Sequence, residues 1–276
     1  MTPAELSRTV LRAVRRAVEE DVLSAPVPER AAVERTRPGG SGDYASNVAL
    51  QLAGPAGRPP REVAGLLRER LAGTPGITAV DITGPGFLSF TLAADTGARA
   101  VRELLEHGVA HRDDLPLPAP RPADLTRLGH DAARWGALLP APDTELLAQH
   151  ERNPLFRVQY AHSRTVALRR NAADLGFRAA YETPVEAAEL TGLLGAYPVE
   201  LDAAARLGAP ERVARYLVAL ADALLRFDFH DTRHVLPRGD EKPSAAHRSR
   251  LAVAEAAGTV LAGGLSQLGI SAPVHL

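Results

Sequence analysis

The sequence predicts a multi-domain protein: an N-terminal α+β domain with a small antiparallel sheet, then an all-α C-terminal bundle. Three observations carry this. Two short alternating runs, Ile77–Thr83 and Phe87–Leu92, flank Gly84-Pro85-Gly86, the composition of a tight connection between paired strands. Pro116, Pro118, Pro120 and Pro122 alternate with other residues, which makes a stiff, extended linker. Everything beyond that linker carries apolar residues at helical spacing. The expected divisions are residues 1–113, a Pro-rich linker at 114–122 and a helical domain at 123–276.

In chain order, Leu6, Val10, Ala13, Val14, Ala17 and Val18 recur at helical spacing and predict a helix from Pro3 to about Leu23. Gly39–Gly42 forms a turn or loop. Asp43 then reads as the cap of a second helical pattern, Val48 and Leu52, which resumes after the Pro55–Pro60 interruption with Val63, Leu66, Leu67 and Leu71. In the first strand Val80 and Ile82 share a face. In the second, Leu88, Phe90 and Leu92 share the core face, and Phe87, Ser89 and Thr91 share the other. A helix from about Asp95 to His107 closes the α+β unit. In the second half, Asn153-Pro154 starts a helix, and Thr183-Pro184-Val185-Glu186 has the form of a capping box with Pro at the first helical position. Pro198 and Pro210 mark two further starts. Leu251, Val253, Val260, Leu261, Leu265 and Leu268 define a last helix ending at Gly269.

Composition excludes several chemistries. There is no Cys, hence no disulfide, thiolate catalysis or Cys-based zinc site. No apolar run reaches the ~18 residues of a membrane span, and Met1–Glu5 lacks the apolar core of a signal peptide, so a cytoplasmic location without membrane contact is expected. Lys242 is the only lysine, which leaves no Schiff-base or phosphate-loop lysine at any other position. The net charge is −1. A chain that holds RNA through bulk charge is more basic, so RNA binding here requires local patches. No cofactor and no DNA partner is expected.

One such patch is evident. Residues Arg152–Arg178 hold six arginines (152, 157, 164, 169, 170 and 178) against Asp174 alone, a local charge of +5. Within it, Val158-Gln159-Tyr160-Ala161-His162-Ser163-Arg164 puts an aromatic ring, an imidazole and a guanidinium on one helix. Such groups suit an unpaired nucleotide loop, where bases stack on rings and guanidinium groups meet phosphates. His162 and Arg164 are open to a structural role instead. Phe87, beside Ser89 and Thr91, is a base-stacking platform if its sheet face is open and a core residue if a helix covers it. His230, Asp231 and His234 have metal-ligand spacing, but no third ligand is evident and Arg233 repels a cation; no metal is expected. Leu128-Gly129-His130 lacks the His two places before Gly129 that an ATP-binding signature needs, and it opens a helix; it reads as structural.

Several of these runs resemble arginyl-tRNA synthetases. Gly42-Asp43-Tyr44-Ala45-Ser46-Asn47-Val48-Ala49-Leu50-Gln51-Leu52-Ala53 and Gly84-Pro85-Gly86-Phe87-Leu88-Ser89-Phe90 look like the family's N-terminal additional domain, which contacts the tRNA D-loop. Glu106-His107-Gly108 through Arg112-Asp113 is similar to the segment leading into its catalytic domain. Gly129-His130-Asp131-Ala132-Ala133-Arg134 resembles the end of that catalytic domain. Asn153-Pro154 through Arg164, Arg233-His234-Val235-Leu236-Pro237-Arg238-Gly239-Asp240-Glu241 and Leu268-Gly269-Ile270-Ser271-Ala272-Pro273 are similar to its DALR-type anticodon-binding bundle. Between the blocks the family has a nucleotide-binding fold with a His-x-Gly-His signature and a KMSKS-like lysine loop. Here Leu115–Pro122 stands instead, eight residues that cannot form a parallel sheet.

The resemblance implies a non-catalytic tRNA-binding protein. Phe87 and Ser89 fall where the family contacts the D-loop, and the family usually has a carboxamide at the Ser89 position. Gln159, Tyr160, His162 and Arg164 match the anticodon-domain motif, and Leu276 stands where the family often has Met. Three readings stay open: a tRNA binder, with arginine-accepting tRNA implied; a protein-interaction module docking an aminoacyl-tRNA synthetase or another tRNA-using enzyme; and an accessory subunit of an arginine–tRNA ligase acting in trans.

Overall fold

The computed structural model describes residues 1–36, 40–93, 96–228 and 234–276, with Thr96 described by its backbone alone. The chain forms two compact units, Met1–Arg99 and Ala100–Leu276.

The first unit opens with α1 (Pro3–Glu19), shorter than the spacing predicts because Asp21 takes a left-handed conformation just after it. Thr2 and Glu5 form a capping box at its start. Leu6, Val10, Val14 and Ala17 are buried. Two short strands then appear that the sequence reading did not contain, β1 (Glu34–Arg35) and β2 (Tyr44–Ser46). Helices α2 (Val48–Ala56) and α3 (Pro60–Leu71) follow, then β3 (Ile77–Thr83) and β4 (Phe87–Leu92), with the bounds the alternation predicts. All pairings are antiparallel, in the order β1-β2-β4-β3. The core face of β4 is Leu88, Phe90 and Leu92, as expected.

Asp43 does not cap α2; Asn47 stands at that position. The Asp43 amide donates to the Phe90 carbonyl at 2.7 Å and its carboxylate accepts from the Leu92 amide at 2.8 Å. Gly42 makes this approach feasible: its φ is +73°, and a Cβ there would lie 2.7 Å from the Phe90 carbonyl oxygen. The Asp thus directly precedes β2 and is stitched to β4.

The second unit is helical. After α4 (Thr96–His107), inside which the two units divide, it contains α5 (Pro122–Leu128), α6 (His130–Leu138), α7 (Asp143–Leu146), α8 (Pro154–Asp174), α9 (Ala188–Leu207), α10 (Glu211–Asp228) and α11 (Ala245–Gln267). Helices α8, α10 and α11 pack on one another, and α9 packs on α10 and α11. Trp135, Tyr197, Val158, Ala161 and Leu168 lie in their core. Val101, Leu104 and Leu115 are buried in that same core, so the segment before the prolines is anchored to the helical unit. Gln267 also clamps it: its carboxamide accepts from the Arg112 amide at 2.8 Å and donates to the Arg112 carbonyl at 2.6 Å.

Two predicted helix starts are corrected. Thr183–Glu186 forms no helix, and α9 begins at Ala188. The Ser249 hydroxyl of α11, fully buried, accepts from the amides of Glu182 and Thr183 at 2.9 and 2.8 Å and holds this segment as a non-helical stretch. Pro198 lies inside α9 and does not begin a helix. Pro210, by contrast, directly precedes α10, and Gly269, at φ +67°, follows the end of α11. Among the described residues, no helix is long and apolar enough to cross a membrane.

Candidate nucleic-acid interface

Helix α8 organises the candidate surface in the helical unit. Asn153 caps it, accepting from the Leu155 amide at 3.0 Å. The same side chain donates to the carbonyls of Leu146 and Ala148, which is a reason for Asn over Asp. Leu155, Val158, Ala161, Thr165, Leu168 and Ala172 turn inward. The remaining positions carry the predicted site residues.

Those residues divide by role. Gln159 and His162 hold the C-terminal segment across α8. The Gln159 carboxamide donates to the Ser271 carbonyl and to Asp131 on α6, each at 3.1 Å. Asp131 also accepts from the Ser271 amide at 3.2 Å and from the Ser271 hydroxyl. Burial raises the Asp131 carboxyl, but the hydrogen bonds from Ser271, His130 and Gln159 outweigh it and hold the group below the usual carboxylate range. His162 Nδ1 bonds the Pro273 carbonyl at 3.0 Å, and the Ser163 hydroxyl donates to that same oxygen at 2.8 Å. Burial pushes the His162 imidazole below its ordinary range; the Pro273 carbonyl opposes this and the charge of Arg169 reinforces it. The ring is therefore neutral, with its Nδ1 proton on Pro273.

Arg164 turns to α10. Its Nε donates to Asp228 at 2.6 Å, and that carboxylate is only 3% exposed. Tyr160 is half-buried and stacks on Phe156, one turn earlier, with ring centroids 5.9 Å apart and planes 15° from parallel. Phe156 and Gln159 line a shallow cavity of about 460 Å³ together with Leu147, Gln149 and Leu276, and Leu276 is 56% exposed. The clamped tail thus brings Leu276 to the cavity that Phe156 lines. The sequence reading missed Phe156, although its spacing from Tyr160 was visible; it also missed Asp131 and Asp228, whose partners are remote.

Of the six arginines in the basic patch, Arg157 pairs with Asp222 and Arg164 with Asp228. Among the described residues, no ion pair engages Arg152, Arg169, Arg170 or Arg178. The last three line a groove of about 700 Å³ whose wall includes Val166, Ala173, Phe177 and Leu251.

In the first unit, the Gly84–Gly86 turn sits against α3. Gly86, at φ +146°, leaves no room for a Cβ beside Pro60, and Arg61 donates to the Gly84 carbonyl at 2.9 Å. Phe87, which follows, is 38% exposed, so it is a surface ring and not a core residue. Ser89 is 3% exposed, with its hydroxyl 3.1 Å from that of Thr83. Of the histidine pair with metal-ligand spacing, His230 and the intervening Asp231 lie outside the described residues.

Two family profiles match the chain: the arginyl tRNA synthetase N terminal domain over residues 5–92, and the DALR anticodon binding domain over residues 158–276. The arginine–tRNA ligase of Frankia alni is 38% identical over 224 residues, which cover 76% of this chain and 38% of the ligase. That of Micrococcus luteus is 34% identical over 256 residues, 83% of this chain and 45% of the ligase. The chain thus spans less than half the length of either relative. The solved arginyl-tRNA synthetase of Thermus thermophilus aligns with 66% of this chain and 31% of its own, at 22% identity and a TM-score of 0.46. Only residues 93–157 separate the two matched spans, and the described part of that stretch contains helices and loops without a strand. The chain therefore belongs with the arginyl-tRNA synthetases, as a related protein that keeps their N terminal and DALR anticodon binding domains and lacks the catalytic domain between them.

Proposed function

We propose that this protein is a non-catalytic tRNA-binding protein that contacts the anticodon loop through its helical unit and the D-loop through its first unit. The observation that carries the reading is the stacked Phe156–Tyr160 pair beside the cavity that Leu276 lines. A partly exposed aromatic pair next to a recess lined by both apolar and polar side chains suits unstacked bases, and Arg169, Arg170 and Arg178, without an ion pair among the described residues, suit the flanking phosphates. Phe87 supplies an exposed ring for the D-loop. Gln159 and His162 act by positioning the tail and Leu276. An arginine-accepting tRNA is the first to test.

One set of observations favours a second reading, a module docking a synthetase or another tRNA-using enzyme, with trans action in a ligase as a variant of it. His162, Arg164 and Ser89 are engaged within the fold, which reduces the polar groups available to RNA. Binding of tRNA, and of the same tRNA with a changed anticodon, decides between them. Tyr160→Ala is expected to weaken tRNA binding by about 1–3 kcal/mol, the worth of one base–aromatic stack, and Phe87→Ala by a similar amount. Absence of tRNA binding to the wild-type protein at low salt rejects the tRNA reading in favour of docking.

A further inference from the structure

The segment Arg8–Arg16 carries four arginines and no acidic residue, in a chain of net charge −1. Three of them, Arg8, Arg12 and Arg15, follow i, i+4, i+7 spacing and so share one face of α1. They line a groove of about 790 Å³ together with Thr9, Gly76 and Arg99. All three are exposed. Among the described residues no ion pair engages any of them, and Arg12 is steadied by the Thr9 hydroxyl at 3.1 Å. Among the described residues the acidic side chain of the groove is Glu5, and it is already engaged: one oxygen accepts from the Thr2 amide at 2.8 Å and the other from Arg99 at 2.5 Å. Like charges one turn apart repel and weaken a helix, so such a stripe runs against stability unless a polyanion meets it.

From this we infer that the Arg8–Arg12–Arg15 face of α1 is a second RNA contact in the first unit, which binds the phosphate backbone without reading bases. The inference rests on the tRNA reading above. Guanidinium forks match phosphate oxygens bidentately. Arg8 and Arg15 are about 10 Å apart along the helix axis, which suits a run of phosphates better than one small anion. Among the described residues, the groove's lining has no aromatic ring on which a base could stack. It lies at Gly76, just before β3, whereas Phe87 pairs with Thr83 at the other end of that strand, about 20 Å away. Loop contact at Phe87 and backbone contact at α1 are therefore separate events on one folded RNA.

The test is tRNA binding by fluorescence anisotropy between 50 and 200 mM salt, on the full chain. Arg8→Gln/Arg12→Gln/Arg15→Gln is compared with wild type, with Phe87→Ala, and with the charge-matched control Arg121→Gln/Arg215→Gln/Arg226→Gln. If three phosphate contacts are lost, the fall in affinity across this range should be about 20- to 40-fold smaller in the stripe variant than in wild type. Phe87→Ala should lower affinity and leave the salt dependence intact. Should the triple variant fold poorly, Arg15→Gln alone should remove about one contact's share of the slope. An unchanged slope in the stripe variant, or equal flattening in the control, overturns the inference and leaves the tRNA reading standing. No RNA binding by wild type removes both, and binding of polyglutamate without RNA reassigns the stripe to an acidic protein.

Discussion

Arg164 sits in the motif that suggested RNA contact, yet its guanidinium faces Asp228, and this has a measurable consequence. Arg164→Met keeps most of the aliphatic bulk and removes the charge, leaving the Asp228 carboxylate, 3% exposed, without its partner. Breaking a fully buried pair costs about 3–5 kcal/mol. That is an upper limit here, because the Arg164 side chain is 35% exposed and water reaches it. The expected loss is about 2–3 kcal/mol, near the cost of orphaning a buried charged acceptor. Urea unfolding followed by Trp135 fluorescence measures it cleanly: this is the single Trp of the chain, and it is buried in the helical core. Adding Asp228→Asn removes the stranded charge and should recover part of the loss. A loss below about 1 kcal/mol, the level of an exposed pair, would refute the argument. Intact stability with weakened tRNA binding would make Arg164 an RNA ligand.

Three further outcomes are expected. The imidazoles of His162 and His247 are both pushed down by burial, so each favours its neutral form in the fold. Because their folded values lie below the ordinary 6.5, stability is fully present above pH 6.5 and declines as pH falls from there toward the folded values. His162→Gln keeps a donor for Pro273 and should remove part of that decline in the Trp135 signal; an identical pH profile argues against it. Limited digestion with an endoprotease that cleaves after proline should cut first at Pro118–Ala119, in the exposed Pro-rich stretch, since Arg112 is clamped by Gln267; first cleavage inside α8 contradicts the linker reading. Finally, arginine-dependent exchange of pyrophosphate into ATP should be absent, and saturable exchange by protein free of synthetase would show an activation site that residues 93–157 do not suggest.

By itself the sequence determined whatever depends on neighbours in the chain. The β3–β4 hairpin has its predicted bounds because alternation and a Gly-Pro-Gly turn are local instructions, and α8 starts at Asn153-Pro154 because a cap and a first-turn Pro act within one turn. The lack of a nucleotide-binding fold was likewise legible, since eight residues cannot become a parallel sheet. Tertiary structure decided the rest, where a distant group outcompeted a local one. Asp43 reads as a helix cap until the Phe90 and Leu92 backbones reach it, and the Thr183 capping box yields to the Ser249 hydroxyl, 66 residues away. His162 and Arg164 look like ligands in the sequence because their partners, Pro273 and Asp228, lie 111 and 64 residues further on. A polar side chain on a helix has no assigned task until the chain folds. Burial then makes an unsatisfied group costly, and the nearest partner that packing supplies takes it.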